Sequence, residues 1–122
     1  MPSKTTVLAV DDEPLNLEIL AEMLGEEYRI ITVESGEACL QQLAHSPPDI
    51  ILLDINMPGL NGMEVCARIK ADPNTRHIPV LYISALSRPE EIEQGLRSGA
   101  EGYITKPFYE DELIDKLETA LG

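Results

Sequence analysis

Short apolar runs recur along this chain, and an amphipathic helical pattern follows each one. The runs are Thr6–Val10, Tyr28–Val33, Ile50–Leu53, Val80–Ile83 and Gly102–Thr105. They are too short for stable helices and rich in residues that suit strands. The central runs are apolar throughout rather than alternating, as expected when both faces of a sheet are covered. Between the runs, Pro14 is placed to open a first helix with Leu17, Leu20 and Leu24 on one face and Gly25 as its stop. Ser35 is placed to cap a second helix carrying Leu40 and Leu43, which Pro47-Pro48 breaks. Met63, Cys66 and Ile69 point inward on a third helix that Asp72-Pro73-Asn74 stops, and Pro89 and Gly99 bracket a fourth. Glu110, Asp111 and Glu112 put negative charge on the first turn of a fifth, where the dipole favours it, and Leu113, Leu117 and Leu121 form its buried face. Strands alternating with helices in this way predict a parallel sheet with right-handed crossovers and helices on both faces.

At 122 residues the chain suits one domain, and no linker or second composition block interrupts it. Its formal net charge is −13, from 9 Lys and Arg against 22 Asp and Glu. A surface this acidic serves solubility and argues against direct binding to nucleic acid or an anionic membrane. No stretch is long enough to span a bilayer, and no signal-peptide pattern opens the chain. Cys39 and Cys66, without CxxC spacing, read as reduced, packed side chains of a cytoplasmic protein. His45 and His77 fall in predicted loops and carry no assigned role.

Polar groups stand where the apolar runs stop: Asp11-Asp12, Asp54, Ser84 and Lys106. Each alone has an ordinary explanation as a turn, a cap or a solvated side chain. In an open parallel sheet, however, all four positions reach the carboxyl edge, where such folds carry their sites. Three carboxylates held together repel one another unless a cation intervenes. A hard oxygen-binding ion, Mg²⁺ or Mn²⁺, fits that set. Asp54 is then a candidate nucleophile toward phosphorus, with Lys106 supplying positive charge and Ser84 a hydrogen bond.

These residues resemble the receiver domain of two-component response regulators, of the chemotaxis-receiver type. The resemblance spans essentially the whole chain. It rests on Val10-Asp11-Asp12-Glu13, on the segment from Leu53 through Gly62, on Ile83-Ser84-Ala85, and on the segment from Gly99 through Phe108. It implies a flavodoxin-like (βα)5 doubly wound fold, strand order 2-1-3-4-5, over residues 1–122, compatible with the N-terminal part of a longer regulator. It implies that Asp54 is the phospho-acceptor and also a metal ligand, that Asp12 binds the metal directly and Asp11 through water, and that the backbone carbonyl of Asn56 is a further ligand. Ser84 and Tyr103 take the switch positions, Lys106 contacts the phosphoryl group, and the Lys106-Pro107 bond is expected cis. The donor would be a phosphohistidine on a sensor histidine kinase or a phosphotransfer protein. The chain would catalyse only its own phosphorylation and dephosphorylation. Tyr103 would then rotate inward and change the surface of the fourth helix, fifth strand and fifth helix, through which an output domain, a partner or a second copy would respond.

The chain departs from regulators with winged-helix output at Gly102 and Lys116, where those carry an acidic residue and an arginine. Their charged dimer contact is therefore in question. The segment Asn74 to Pro79 is more similar to receivers joined to cyclic-dinucleotide enzymes or hybrid kinases. Two other classes fit less well. An aspartate-nucleophile phosphohydrolase wants an aspartate where Asn56 stands. A flavodoxin-like cofactor module wants a neutral phosphate loop where Asp11-Asp12-Glu13 stands.

Overall fold

The computed structural model describes residues 4–122. The elements run β1 (Thr6–Val10), α1 (Pro14–Leu24), β2 (Arg29–Val33), α2 (Gly36–His45), β3 (Ile50–Leu53), α3 (Gly62–Ala71), β4 (Val80–Ser84), α4 (Pro89–Arg97), β5 (Gly102–Thr105) and α5 (Glu110–Leu121). The strands form one sheet in the order β2-β1-β3-β4-β5, and every neighbouring pair is parallel. The order reverses between β1 and β3, which opens a crevice at their carboxyl ends. Val10 pairs with Leu53 there, and Ser84 pairs with Thr105 across β4 and β5.

Side chains along a strand alternate between faces, so a sheet covered on both sides makes two cores. Val7, Ala9, Ile50, Leu52, Leu81, Ile83 and Ile104 meet α1 and α5 through Leu17, Leu20, Leu24, Leu113 and Leu117. Leu8, Val10, Ile51, Leu53, Tyr82 and Tyr103 face the other way, toward Cys39, Leu43, Val65, Cys66 and Ile69. Both cysteines are buried and free, and burial pushes the Cys39 thiol up to about 12. Such a thiol is an inert packing group.

Several local expectations hold in detail. Pro14 stands at the start of α1. Ser35 accepts the Ala38 N–H at 3.0 Å and caps α2. Others change. Gly25 ends α1 at φ −64°, an ordinary right-handed conformation, whereas Gly99 after α4 has φ +105°. Of these two, Gly99 is the one whose backbone favours glycine. On α3, Val65 is fully buried while Met63 is half-buried, because the helix starts at Gly62 and turns Val65 toward the sheet. Leu121 is 37% exposed, unlike Leu113 and Leu117, since the last turn of α5 runs past the end of the core. His45 is the final residue of α2 rather than a loop residue.

Candidate functional site

The carboxyl edge gathers the strand-end groups. Asp11 follows β1 directly, Asp54 follows β3, Ser84 closes β4 and Lys106 follows β5. Carboxylate oxygens of Asp11, Asp12 and Asp54 all lie within 4.8 Å of one another. Lys106 Nζ is 3.2 Å from Asp11 Oδ2 and 3.8 Å from Asp54 Oδ2. One ammonium therefore spans two of three crowded carboxylates.

The three aspartates are not equivalent. Asp11 is buried and held by three donors. Its Oδ1 accepts the Glu13 N–H at 2.9 Å, and its Oδ2 accepts from Asn16 Nδ2 and Lys106 Nζ, both at 3.2 Å. Asp12 is half-buried, and its side chain takes part in no hydrogen bond among the described residues. Asp11 is thus a fixed wall of the site, and Asp12 keeps its oxygens available. Asp54 is buried, and its carboxyl is pushed up to about 6. Burial is the largest cause, and the Asp11 and Asp12 charges add to it. The Lys106 ammonium and a backbone hydrogen bond from Asn56 oppose it. A carboxylate destabilised by burial and like charge is stabilised by a cation placed among its neighbours. Oxygen donors of this kind suit Mg²⁺ or Mn²⁺.

The loop after Asp54 is built to close over it. Gly59 sits at φ +74°. Gly62 donates its N–H to the Ile55 carbonyl at 2.8 Å, and a Cβ at Gly62 would come within 2.3 Å of the Asp54 carbonyl oxygen. Asn61 then caps α3 in a reciprocal box with Glu64, at 3.0 and 3.1 Å. Asn56 lies exposed in this loop, two residues beyond Asp54.

Ser84 is fully buried, and its Oγ accepts the Leu86 N–H at 3.1 Å. The hydroxyl therefore organises the turn after β4. Tyr103 departs from the expectation of an outward aromatic awaiting a signal. It is 8% exposed, and its hydroxyl donates to the Leu86 carbonyl at 2.7 Å. Burial pushes its phenol up, while Ser84 pulls it back. Its ring meets Tyr82 edge-on at a centroid distance of 5.9 Å. The Lys106-Pro107 bond is cis.

Two participants escaped the sequence reading. Asn16 reaches back from the first turn of α1 to Asp11; its only signal was an amide placed shortly after an acidic pair. Leu86 contributes through its backbone alone, which no residue type announces. Beside Asp11 and Lys106 opens a cleft of about 390 Å³, lined by Ile19, Leu20, Met23, Ile83 and Phe108. Leu15 and Ile19 stand exposed on the adjoining surface of α1.

Comparison with known proteins agrees with this geometry. The model of the response regulator receiver domain family matches residues 7–118. Response regulator PleD of Caulobacter vibrioides is 46% identical over 114 residues, covering 93% of this chain and 25% of that protein. A probable cyclic di-GMP phosphodiesterase of Vibrio cholerae is 40% identical over 119 residues, covering 98% of this chain and 27% of that protein. The chain thus spans about a quarter of the length of either relative. Among solved structures, the receiver domain of a sensor histidine kinase from Pseudomonas aeruginosa superposes with a TM-score of 0.90. It is 29% identical and covers 98% of this chain and 99% of its own; its structure holds a magnesium ion in the active site cleft.

Proposed function

This chain belongs to the response regulator receiver domain family of two-component systems, and on that premise we propose that Asp54 is the residue that accepts the phosphoryl group. The observation that carries the reading is the ammonium of Lys106 lying between Asp11 and Asp54 at the edge of a three-carboxylate cluster. Asp54 is the member placed to attack. It directly follows the central strand β3, and the loop folding back through Gly62 packs against its carbonyl. An Asp54 carboxylate oxygen attacks the phosphorus of a phosphohistidine, the P–N bond breaks, and the imidazole leaves with its electron pair. The result is an acyl phosphate on Asp54.

Asp12 and Asp54, with the backbone carbonyl of Asn56 and with Asp11 acting through water, would hold Mg²⁺ or Mn²⁺. That ion supplies charge neutralisation for the phosphoryl oxygens. Lys106 supplies the remaining positive charge from within the protein, and its ammonium moves from Asp11 toward the new oxygens. Ser84 offers its hydroxyl to one of them. The incoming group adds up to about two negative charges, so the ammonium and the hydroxyl are both drawn to it. The turn after β4 hangs from Ser84 through Leu86, and Tyr103 bonds the same residue. A shift at Ser84 therefore acts on α4 and β5 as a redistribution between packings.

The donor is a phosphohistidine on a sensor histidine kinase or a phosphotransfer protein. The apolar cleft beside Lys106 and the exposed Leu15 and Ile19 give such a partner a foothold next to the acceptor. The chain's own catalysis is limited to gaining and losing this group. Its output passes through α4, β5 and α5 to a further domain, a partner or a second copy, and it works in the cytoplasm. No helix among the described residues is long and apolar enough to cross a membrane.

Incubation with acetyl phosphate and Mg²⁺, followed by intact mass measurement, tests the assignment. One phosphoryl addition is expected, and it should be absent in Asp54→Ala. No addition to the native chain, or an addition that survives the substitution, overturns it.

A further inference from the structure

We infer that Gly36, the first residue of α2, is a positioning residue for phosphoryl transfer: it lets the start of that helix press on Leu60, and so fixes where the β3–α3 loop holds Asp54 and the Asn56 carbonyl. The inference deepens the proposed function and rests on that reading for its chemistry, though not for its geometry.

Gly36 is buried. Glycine serves either a left-handed backbone or a close approach. The positive-φ glycines among the described residues are Gly59, Gly99 and Gly122, so for Gly36 the close approach is the reason. A Cβ built there would lie 2.9 Å from the Leu60 carbonyl oxygen, 3.0 Å from Leu60 Cβ and 2.6 Å from a Val65 methyl. Val65 is fully buried and β-branched, so its methyl has little freedom. The Leu60 carbonyl is backbone and cannot turn aside without moving the loop.

The loop has little slack to absorb such a move. Ile55 and Met57 anchor its first half in the core. Pro58 has a fixed φ, and Gly59 turns the chain at φ +74°. Beyond Leu60, Asn61 is locked in its reciprocal cap with Glu64. Gly62 then lies against the Asp54 carbonyl oxygen, where no Cβ would fit, and donates to the Ile55 carbonyl at 2.8 Å. Gly36 on Leu60 and Gly62 on Asp54 are therefore two backbone contacts in series, each closer than a side-chain carbon allows. A neighbouring contact points the same way. A Cβ at Gly59 would lie 3.0 Å from Glu37 Oε2, so the first turn of α2 backs the loop at Gly59 as well as at Leu60.

The consequence concerns catalysis. Phosphoryl transfer depends chiefly on positioning, and misplacement by about 1 Å can cost about 100-fold in rate. Asp54 has to meet the incoming phosphorus, and Asn56 has to offer its carbonyl beside Asp12. A side chain at position 36 would displace Leu60 and, through Gly62, disturb both groups. Gly36 itself contacts neither of them and acts through Leu60.

Amide NMR, Mg²⁺ titration calorimetry and mass-based addition rates on the full chain test the role, with Ser35→Ala as a control at the same helix start. In the metal-free protein, the Asn56 and Gly62 amide signals should shift severalfold more in Gly36→Ala than in Ser35→Ala. Mg²⁺ affinity should fall by about 10-fold in Gly36→Ala. Its rate of phosphoryl addition from acetyl phosphate at saturating Mg²⁺ should fall by about 10-fold or more, with smaller changes in Ser35→Ala. Leu60→Gly removes the Leu60 Cβ and lets the carbonyl yield. Adding Gly36→Ala to Leu60→Gly should then lower the rate by less than about 2-fold, a comparison that also serves where Gly36→Ala alone folds poorly. A folded Gly36→Ala that matches Ser35→Ala in amide shifts, affinity and rate overturns the inference, as does a double variant whose losses multiply. Absence of phosphoryl addition to the native chain would count against the proposed function, while the metal-free amide shifts would still decide whether Gly36 sets the loop.

Discussion

Asp54 carries a conflict that the fold imposes and a cation relieves. Its carboxyl lies at about 6 because it is buried beside Asp11 and Asp12. A folded-state value raised above that of the unfolded chain means the native protein binds the proton more tightly. The associated stability is complete below about pH 4, where both states are protonated, and is lost as pH rises through about 6. In chelator, Asp54→Asn should therefore gain stability over the native chain between pH 4 and pH 7, by up to about 3 kcal/mol. Urea midpoints for the two proteins across that range check the sign. A constant difference across the range would show that Asp54 titrates as an ordinary carboxyl. Asp12 has a separate consequence, because its side chain is the free one. Asp12→Ala should weaken Mg²⁺ binding by at least about 10-fold, since loss of even an outer-shell partner of a metal costs that much, and titration calorimetry reads this directly. Unchanged affinity would remove Asp12 from the ligand set.

Among the elements, the β3–α3 loop and the helix caps do different work, though both depend on single residues. Gly62 packs against the Asp54 carbonyl more closely than any side-chain carbon allows. Gly62→Ala should cost about 1–3 kcal/mol, the usual penalty of overpacking, and should also slow phosphoryl addition, because relief of the contact moves Asp54. Ser35→Ala removes the α2 cap and should cost about 1 kcal/mol with a smaller change in the rate of addition, since the lost hydrogen bond joins Ser35 only to Ala38 and involves no residue of the site. Comparing the two variants in denaturation and in mass-based addition rates separates a positioning loss from a plain stability loss. Equal effects on rate would show that the loop does not position the acceptor.

At the level of the whole molecule, a net charge of −13 is spread over a domain whose site concentrates three of its carboxylates. A cation that binds only the folded form stabilises it in proportion to its occupancy, by about 2.7 kcal/mol at a hundred times the dissociation constant. Added Mg²⁺ should thus raise the melting midpoint of the native chain and leave that of Asp12→Ala nearly unchanged. An equal rise in both would mean that Mg²⁺ acts on the acidic surface at large rather than at the site. The sheet makes this coupling possible: β1 and β3 are adjacent, so Asp11, Asp12 and Asp54 converge from distant parts of the chain.

Much of this arrangement could be read from residue order. The apolar runs at β3 and β4 had to be covered on both faces, so the sheet and its helices followed, and with them the edge where Asp11, Asp54, Ser84 and Lys106 meet. Those features rest on local pattern and on the regular geometry of parallel strands, which a linear sequence carries. Its limits appear where a backbone atom or a close approach decides the outcome. The Leu86 carbonyl accepts Tyr103, the Asn16 amide reaches Asp11, and Gly36 leaves room for the Leu60 carbonyl; each depends on distances set by packing between elements far apart in sequence. The unequal aspartates show the same division. Their presence at one edge was determined by the sequence, but which one is pinned and which is free was decided only when α1 and the β5 end closed around Asp11.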